Sequence, residues 1–433
     1  MKKSLMLFFI TMIVFACAKQ VNPELKMNEV AKEYVKLIHE IGLYDQAYVD
    51  AYYGPADLKI LPDKKEDKFP YDRLFKKAIE LYKSVTELNT DKSEEIVKQR
   101  KKFLLVQLTS VKAKIEMLNG KKFTFDEEAK YLYNTTPPNY TVEHFNETLN
   151  ELDKLLPGKG EIQKRLEEFK KDFVIPKEKL HAVFSVAIEE GRKRTKEKIS
   201  LPENENFTIE YVTDKSWGAY NWYKGNSFSL IQYNTDITSY IDRAIDLACH
   251  EGYPGHHVYN GLLENELYKK RGWFEFSIYP LFSPQSLIAE GTANYGIDVA
   301  FPGEEKIKFE KEVLFPMAGI NPDKADKYYE VVKLTGKLNF AGNEAARKYI
   351  NGELSKDETR EWLVKYLLMT PQRADTRIKF IEKYGAYVIN YNVGLKIVRD
   401  YIERNGGTPE NPEKRWEIFT KLLSMPITPE ELM

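Results

Sequence analysis

Three of the chain's six histidines fall within eight residues, His250-Glu251-Gly252-Tyr253-Pro254-Gly255-His256-His257, while His39, His144 and His181 stand apart. Imidazoles this dense beside a carboxylate suit a zinc site in which the glutamate next to the first histidine takes a proton from the attacking water. In the HExxH pattern the two histidines, at i and i+4, share one helix face one turn apart. Here position i+4 is Pro254. In a regular helix i+6 lies about 240° around from i, and i+7 returns to about −20° but sits about 10.5 Å along the axis. Neither His256 nor His257 suits an undistorted helix. Pro254 has no N–H to give and its ring clashes with the carbonyl of residue 250, so the helix has to kink or widen. Gly252 and Gly255 ease that distortion. A widened turn that absorbs Pro254-Gly255 puts His256 in the role of second ligand after His250, whereas a simple kink favours His257. His256 ranks first, with His257 as the alternative ligand or as a donor to a substrate carbonyl. Glu251 is the expected general base.

A catalytic zinc also needs a third protein ligand and an open position. After the N-cap and N1 pair Ser283-Pro284, the segment Ser286-Leu287-Ile288-Ala289-Glu290-Gly291-Thr292-Ala293-Asn294-Tyr295 reads as a helix with Glu290 and Asn294 on one face. Glu-x-x-x-Asn resembles the glutamate helix of gluzincin metallopeptidases, in which the glutamate binds zinc and the Asp or Asn four residues on supports the first histidine. The expected ligands are His250, His256 and Glu290 around one Zn²⁺ per chain, and the expected substrate is a peptide or small amide. The competing reading is a set of solvated or hydrogen-bonded histidines around a plain turn, with Glu290 exposed on an ordinary helix.

His-Glu-x-x-Pro-Gly-His-His, preceded by Ser227-Phe228-Ser229-Leu230-Ile231-Gln232-Tyr233-Asn234-Thr235, resembles the bacterial proteins grouped as domain of unknown function 885. That group is placed in the zincin-like metallopeptidase clan. The likeness covers about residues 207–300 and the stretch Tyr384–Gly394, where Tyr391-Asn392-Val393-Gly394 resembles the family's Tyr-x-x-Gly. The family's usual Glu-Gly-Trp-Ala-x-Tyr reads Glu290-Gly291-Thr292-Ala293-Asn294-Tyr295 here. Its substrates are generally not established, so the resemblance implies a metallohydrolase more than any one peptide activity. Zincins often stabilise the oxyanion with a Tyr or His outside the metal helix. Tyr391 is the first candidate, followed by Tyr295 and His257. In zincins an edge strand ahead of the metal helix pairs with extended peptides; the segment 227–233 reads as such an edge or equally as an interior strand. Arg373 and Arg377, one turn apart, read as a solvated face or as a clamp for a substrate carboxylate.

From Pro23 onward the dominant period is helical, over about 28–48, 70–88, 93–119, 141–155, 159–172 and 176–198. After Leu201-Pro202 the period changes to two. Strands are expected near 207–212, 218–223 and 227–233, then a helix with Tyr240, Ile241, Ala244, Ile245 and Ala248 on its buried stripe runs into His250. Further helices are expected at 283–299, 303–318, 322–350, 356–368 and 372–404. The predicted fold is mainly α and zincin-like, with a small antiparallel β-sheet beside the metal-binding helix. The predicted organisation is a leader at 1–16, a tether at 17–27, a helical lobe at 28–200 and a metal-binding catalytic lobe at 201–433.

Lys2 and Lys3 ahead of the apolar run Leu5–Phe15, ending at Ala16-Cys17, form a secretory signal. The run is too short for a membrane span, which needs about 20 apolar residues. A cysteine directly after a small residue resembles the lipobox of bacterial lipoproteins, so Cys17 is expected to carry a lipid and anchor the protein in the cell envelope; cleavage near Ala16 or Ala18 without lipid is the alternative. With 65 basic and 66 acidic side chains there is no general positive field to hold nucleic acid. Cys249 neighbours His250, but successive helix residues diverge by about 100°. It reads as a small buried side chain rather than a nucleophile. Two other classes stay open: a metallohydrolase of a non-peptide amide or ester, and a non-catalytic lipoprotein that binds metal or peptide.

Overall fold

The computed structural model describes residues 22–433 apart from Ser216, so the leader, Cys17 and the first residues of the tether lie outside the described residues. Helix formation follows local rules from the first described residues onward. Asn22 accepts a hydrogen bond from the Glu24 N–H and Pro23 occupies the first turn of the helix Pro23–Gly42. That helix stops earlier than its period suggests, and β1 (Val49–Tyr52) follows instead. The helices Tyr71–Thr86, Glu95–Leu118, Val142–Leu155 and Leu180–Lys196 lie where periodicity puts them, while Phe125–Tyr133 and Pro412–Ser424 are additional. The segment 322–350 divides into Ala325–Lys337 and Phe340–Ile350. The segment 372–404 divides at Gly385 into Pro371–Tyr384 and Ile389–Arg404. Gly385 has φ 56°, and a Cβ there would lie 2.1 Å from Glu128 Oε1, so both backbone shape and space demand glycine.

The architecture is mainly α with two small sheets. β2 (Asn206–Val212), β3 (Ala219–Gly225) and β4 (Phe228–Asn234) form a three-stranded sheet in the order β2-β4-β3. The expectation of an antiparallel sheet holds for the β3–β4 hairpin but not for β2, which runs parallel to β4. Turn chemistry explains the difference. Gly225, Asn226 and Ser227 all have positive φ, at 81°, 54° and 56°, and close the tight β3–β4 turn. The longer connection after β2 instead passes the end of β4, where the Asn234 amide donates to the carbonyls of Lys215 and Trp217 at 2.9 and 3.0 Å. β4 is therefore the interior strand, which corrects the edge-strand reading of 227–233. β3 forms one margin of this sheet.

The 200/201 boundary does not divide the hydrophobic core. Leu104 and Val111 from the first half share one cluster with Ile245, Leu287 and Val398 from the second. β1 pairs with β5 (Ile278–Pro280), and Arg100 makes two hydrogen bonds to the Glu275 carboxylate at 2.6 and 2.9 Å with neither side chain exposed. Removing one partner of such a buried pair costs about 3–5 kcal/mol, because the other charge is left unpaired. A second device sets the position of the site. The helices Pro284–Ala300 and Ile389–Arg404 cross at Gly291 and Gly394, where a Cβ on Gly291 would lie 2.6 Å from the Gly394 carbonyl. Two glycines let the backbones meet directly and bring Tyr387 and Tyr391 alongside Glu290 and Asn294.

Candidate metal centre

The segment that carries the histidines resolves its proline as a widened turn followed by a restart. The helix Asp242–Leu247 passes into a π-helical turn at Ala248–Gly252, and a new helix, His256–Leu263, begins beyond Pro254-Gly255. The Gly255 N–H donates to the Cys249 carbonyl at 2.9 Å. A Cβ on Gly255 would sit 2.0 Å from the His250 carbonyl oxygen, so any larger residue would force the two histidine segments apart. Asn221 on β3 holds the same turn from the side, donating to the Glu251 carbonyl at 2.6 Å.

This folding brings His250, His256 and Glu290 together, with ligand atoms all within 4.8 Å of one another. His250 Nε2 is 3.1 Å from His256 Nε2, and Glu290 Oε2 is 3.4 Å from the first and 3.7 Å from the second. Zinc bound tetrahedrally at about 2.0–2.1 Å requires ligand–ligand edges of about 3.3–3.4 Å, which is the middle of this range. The remaining lone pairs fit as well. His250 Nδ1 faces Asn294 Oδ1 at 3.1 Å, which fixes the tautomer that leaves Nε2 free, and Asn294 in turn donates to the Tyr391 carbonyl at 3.1 Å. Tyr387 donates to Glu290 Oε1 at 2.8 Å, whereas Glu290 Oε2 is buried without a hydrogen-bond partner. Two imidazole nitrogens and an orphan carboxylate oxygen this close together are a donor set that could hold a metal ion.

Electrostatics agree with that reading. Burial opposes ionisation of Glu290, but the imidazoles of His250 and His256 facing its Oε2 hold its carboxyl well below the usual range. Burial likewise opposes a charged His256, and the carboxylates of Glu290, Glu251 and Asp50 push it up to about 9. Positive charge is favoured between these groups, whether a proton or a metal ion supplies it. Glu251 is 7% exposed, and its side chain has no hydrogen-bond partner among the described residues. The Tyr391 hydroxyl is also uncommitted; burial first, and then the nearby Glu290, push its phenol far above the ordinary value, so it stays a hydrogen-bond donor.

Not every sequence candidate arrives here. His257, adjacent to His256, turns the other way and is 2% exposed. Its Nδ1 meets Ser229 Oγ at 2.8 Å and its Nε2 meets Glu205 Oε2 at 3.3 Å. Both nitrogens are used, which corrects its expected role as a ligand or carbonyl donor. Ser229 is fully buried, so this Ser-His-Glu chain cannot act as a nucleophilic triad. Tyr295 is also corrected: it packs against Phe419 and under Arg399 and Arg415. Cys249 is buried, and burial pushes its thiol up, so it stays protonated. His39 packs edge-on against Tyr52, His144 against Tyr140, and His181 meets the Tyr211 hydroxyl.

Three contributors escaped sequence reasoning. Tyr387 lies four residues before Tyr391, a helical spacing that would have signalled it. Asp50, on β1, accepts a hydrogen bond from Tyr220 of β3. Burial raises the Asp50 carboxyl to about 6, with Tyr220 and His256 opposing and Glu290 and Glu251 adding to the rise. Nothing in the local sequence marks either Asp50 or Tyr220, because they meet only in the folded chain, from β1 of one sheet and β3 of the other.

No family model matches this chain, and no curated protein matches it. Among solved structures it is similar to a protein designated as a lipoprotein from Colwellia psychrerythraea, at 12% identity and TM-score 0.53, over 83% of this chain and 65% of that one. It is also similar to a protein designated as a lipoprotein of unknown function from Shewanella oneidensis, at 10% identity and TM-score 0.41, over 81% and 73% of the two chains. A third, designated BsuCP, gives 12% identity and TM-score 0.43 over 93% and 90%. This chain thus spans 65% of the length of the Colwellia protein, with which it shares its fold.

Proposed function

We propose that this protein is a zinc-dependent hydrolase of amide bonds, a metallopeptidase of the bacterial cell envelope. The observation that carries the reading is the triangle of His250 Nε2, His256 Nε2 and Glu290 Oε2, whose edges of 3.1, 3.4 and 3.7 Å match a tetrahedral face. Zn²⁺ held by these residues would supply Lewis acidity toward water and a substrate carbonyl. Glu251 accepts the proton of the attacking water and returns it to the leaving amine. Tyr391 donates its hydroxyl hydrogen to the oxygen that gains charge in the transition state. Tyr387 and Asn294 hold Glu290 and His250 in register. The motif resemblance to domain of unknown function 885 supports a metallohydrolase of this kind.

Anchoring rests on Ala16-Cys17 at the end of an apolar run, and the designation of the Colwellia protein as a lipoprotein agrees with it. Among the described residues no helix is long and apolar enough to cross a membrane. The test is metal content per chain by elemental mass spectrometry, on the purified protein and on His250→Ala, followed by a peptide-library assay with and without chelator. About one zinc, lost in the variant, with chelator-sensitive cleavage, is the expected result. Zinc without cleavage of any amide or ester would leave a metal-binding protein instead.

A further inference from the structure

Arginine pairing singles out one position. Twelve of the chain's arginines engage a carboxylate or a backbone carbonyl. Arg373 and Arg377 have no side-chain hydrogen bond or ion pair among the described residues. Arg373 is exposed, which needs no explanation. Arg377 is half-buried, and its Nε is enclosed without a hydrogen-bond partner. That Nε loses hydration without recovering it from the protein, and the Nη groups have no protein acceptor among the described residues, so the guanidinium is poised for an external one.

The surroundings place that acceptor beside the metal face. The Arg377 guanidinium carbon lies 5.1 Å from the Phe380 ring centroid. Phe380 is 6.5 Å from Tyr387, whose hydroxyl is hydrogen-bonded to Glu290, and Tyr387 is 5.8 Å from Tyr391. Tyr391 is near enough to both the Glu290 carboxylate and the Arg377 guanidinium to feel the charge of each. Around the histidines the uncommitted protein groups are carboxylates; past Tyr391 the uncommitted group is a guanidinium, whose planar fork matches a carboxylate with two parallel hydrogen bonds.

We propose that Arg377 receives the free α-carboxylate of the substrate, so that the protein cleaves a peptide or N-acyl amino acid next to its C-terminus. The inference rests on the hydrolase reading but is testable apart from it. Two probes differing in one group suffice: an N-acyl dipeptide with a free C-terminal carboxylate and the same compound as its C-terminal amide. Their binding to the zinc-loaded Glu251→Gln protein is measured by calorimetry, and their hydrolysis by the native sequence is followed in parallel. The free acid should bind about 30- to 100-fold more tightly than the amide. Arg377→Met should remove that preference while leaving amide binding and zinc content unchanged, Arg377→Lys should restore part of it, and Arg373→Met should have no effect. Circular dichroism of Arg377→Met and the partial rescue by lysine separate recognition from misfolding.

Equal binding of acid and amide, or a preference that survives Arg377→Met, overturns the assignment, as does the absence of free-acid binding at millimolar concentration. Acid-selective binding that depends on Arg377 without turnover of either probe would uphold the assignment and remove the hydrolase reading. Turnover of both probes at equal rates would do the reverse.

Discussion

Two buried glutamates, Glu205 and Glu290, have similar neighbours and opposite fates. Each accepts a tyrosine hydroxyl, from Tyr253 and Tyr387 respectively, and each faces imidazole, His257 in one case and His250 with His256 in the other. Glu205 also pairs with Arg192 at 2.7 Å and Lys196 at 3.0 Å, so both of its oxygens are used and two cations answer its charge. Glu290 has no Lys or Arg partner among the described residues and keeps one oxygen without a hydrogen bond there. The first is a closed network that locks β2 and β4 to the helix His256–Leu263. The second is open at one point. Buried charge alone does not identify a functional group; an unsatisfied lone pair at which other donors converge does.

The largest expected contrast comes from the adjacent histidines. His256→Ala should lower zinc from about one per chain to near zero, whereas His257→Asn should keep zinc and lose about 2–3 kcal/mol of stability in urea unfolding, through the unpaired Ser229 and Glu205. Equal zinc loss in the two variants would erase the distinction between the networks. Glu251→Gln should cut turnover by about 10²- to 10⁴-fold with zinc retained, as a proton carrier but not a ligand would. Asn294→Ala, which leaves His250 Nδ1 without its acceptor, should weaken zinc binding about 10- to 100-fold in a competition with a chelator of known affinity.

The smallest effect concerns Asp50, which borders the open centre without belonging to the ligand set. Its folded value near 6 stands above the unfolded value of about 3.9, so the folded metal-free protein binds the extra proton and loses stability as pH rises between those values. Asp50→Asn should therefore stabilise the metal-free protein by about 1–3 kcal/mol at pH 7 and by nothing at pH 4, measured by denaturant unfolding. A gain of the same size at both values would mean that Asp50 is not destabilised by its surroundings.

The helical periods at 70–88, 93–119 and 356–368 carried over almost unchanged because amphipathic stripes report burial directly. The strands near 207–212, 218–223 and 227–233 did so for the same reason at period two. Their order did not, since strand pairing depends on turns and on Asn234, whose hydrogen bonds reach 17 and 19 residues back. β1 and β5 were missed, as strands of four and three residues are too short to show a period.

At the site, the residue types and their spacing were enough to expect His250 and His256 side by side, because Pro254 and Gly255 constrain the local backbone, while Glu290 was legible from the Glu-x-x-x-Asn spacing on a separate helix. The choice of His256 over His257 followed from treating Pro254-Gly255 as an insertion. What the sequence left undetermined is everything that depends on contact across the chain. The Gly291–Gly394 crossing decides that Tyr387 and Tyr391 meet Glu290, the approach of β1 to β3 decides that Asp50 meets Tyr220, and the closed network of Glu205 decides which neighbour of His256 is withdrawn. Local sequence sets dihedral angles and periodicity; whether a lone pair is satisfied is a property of the packed interior alone.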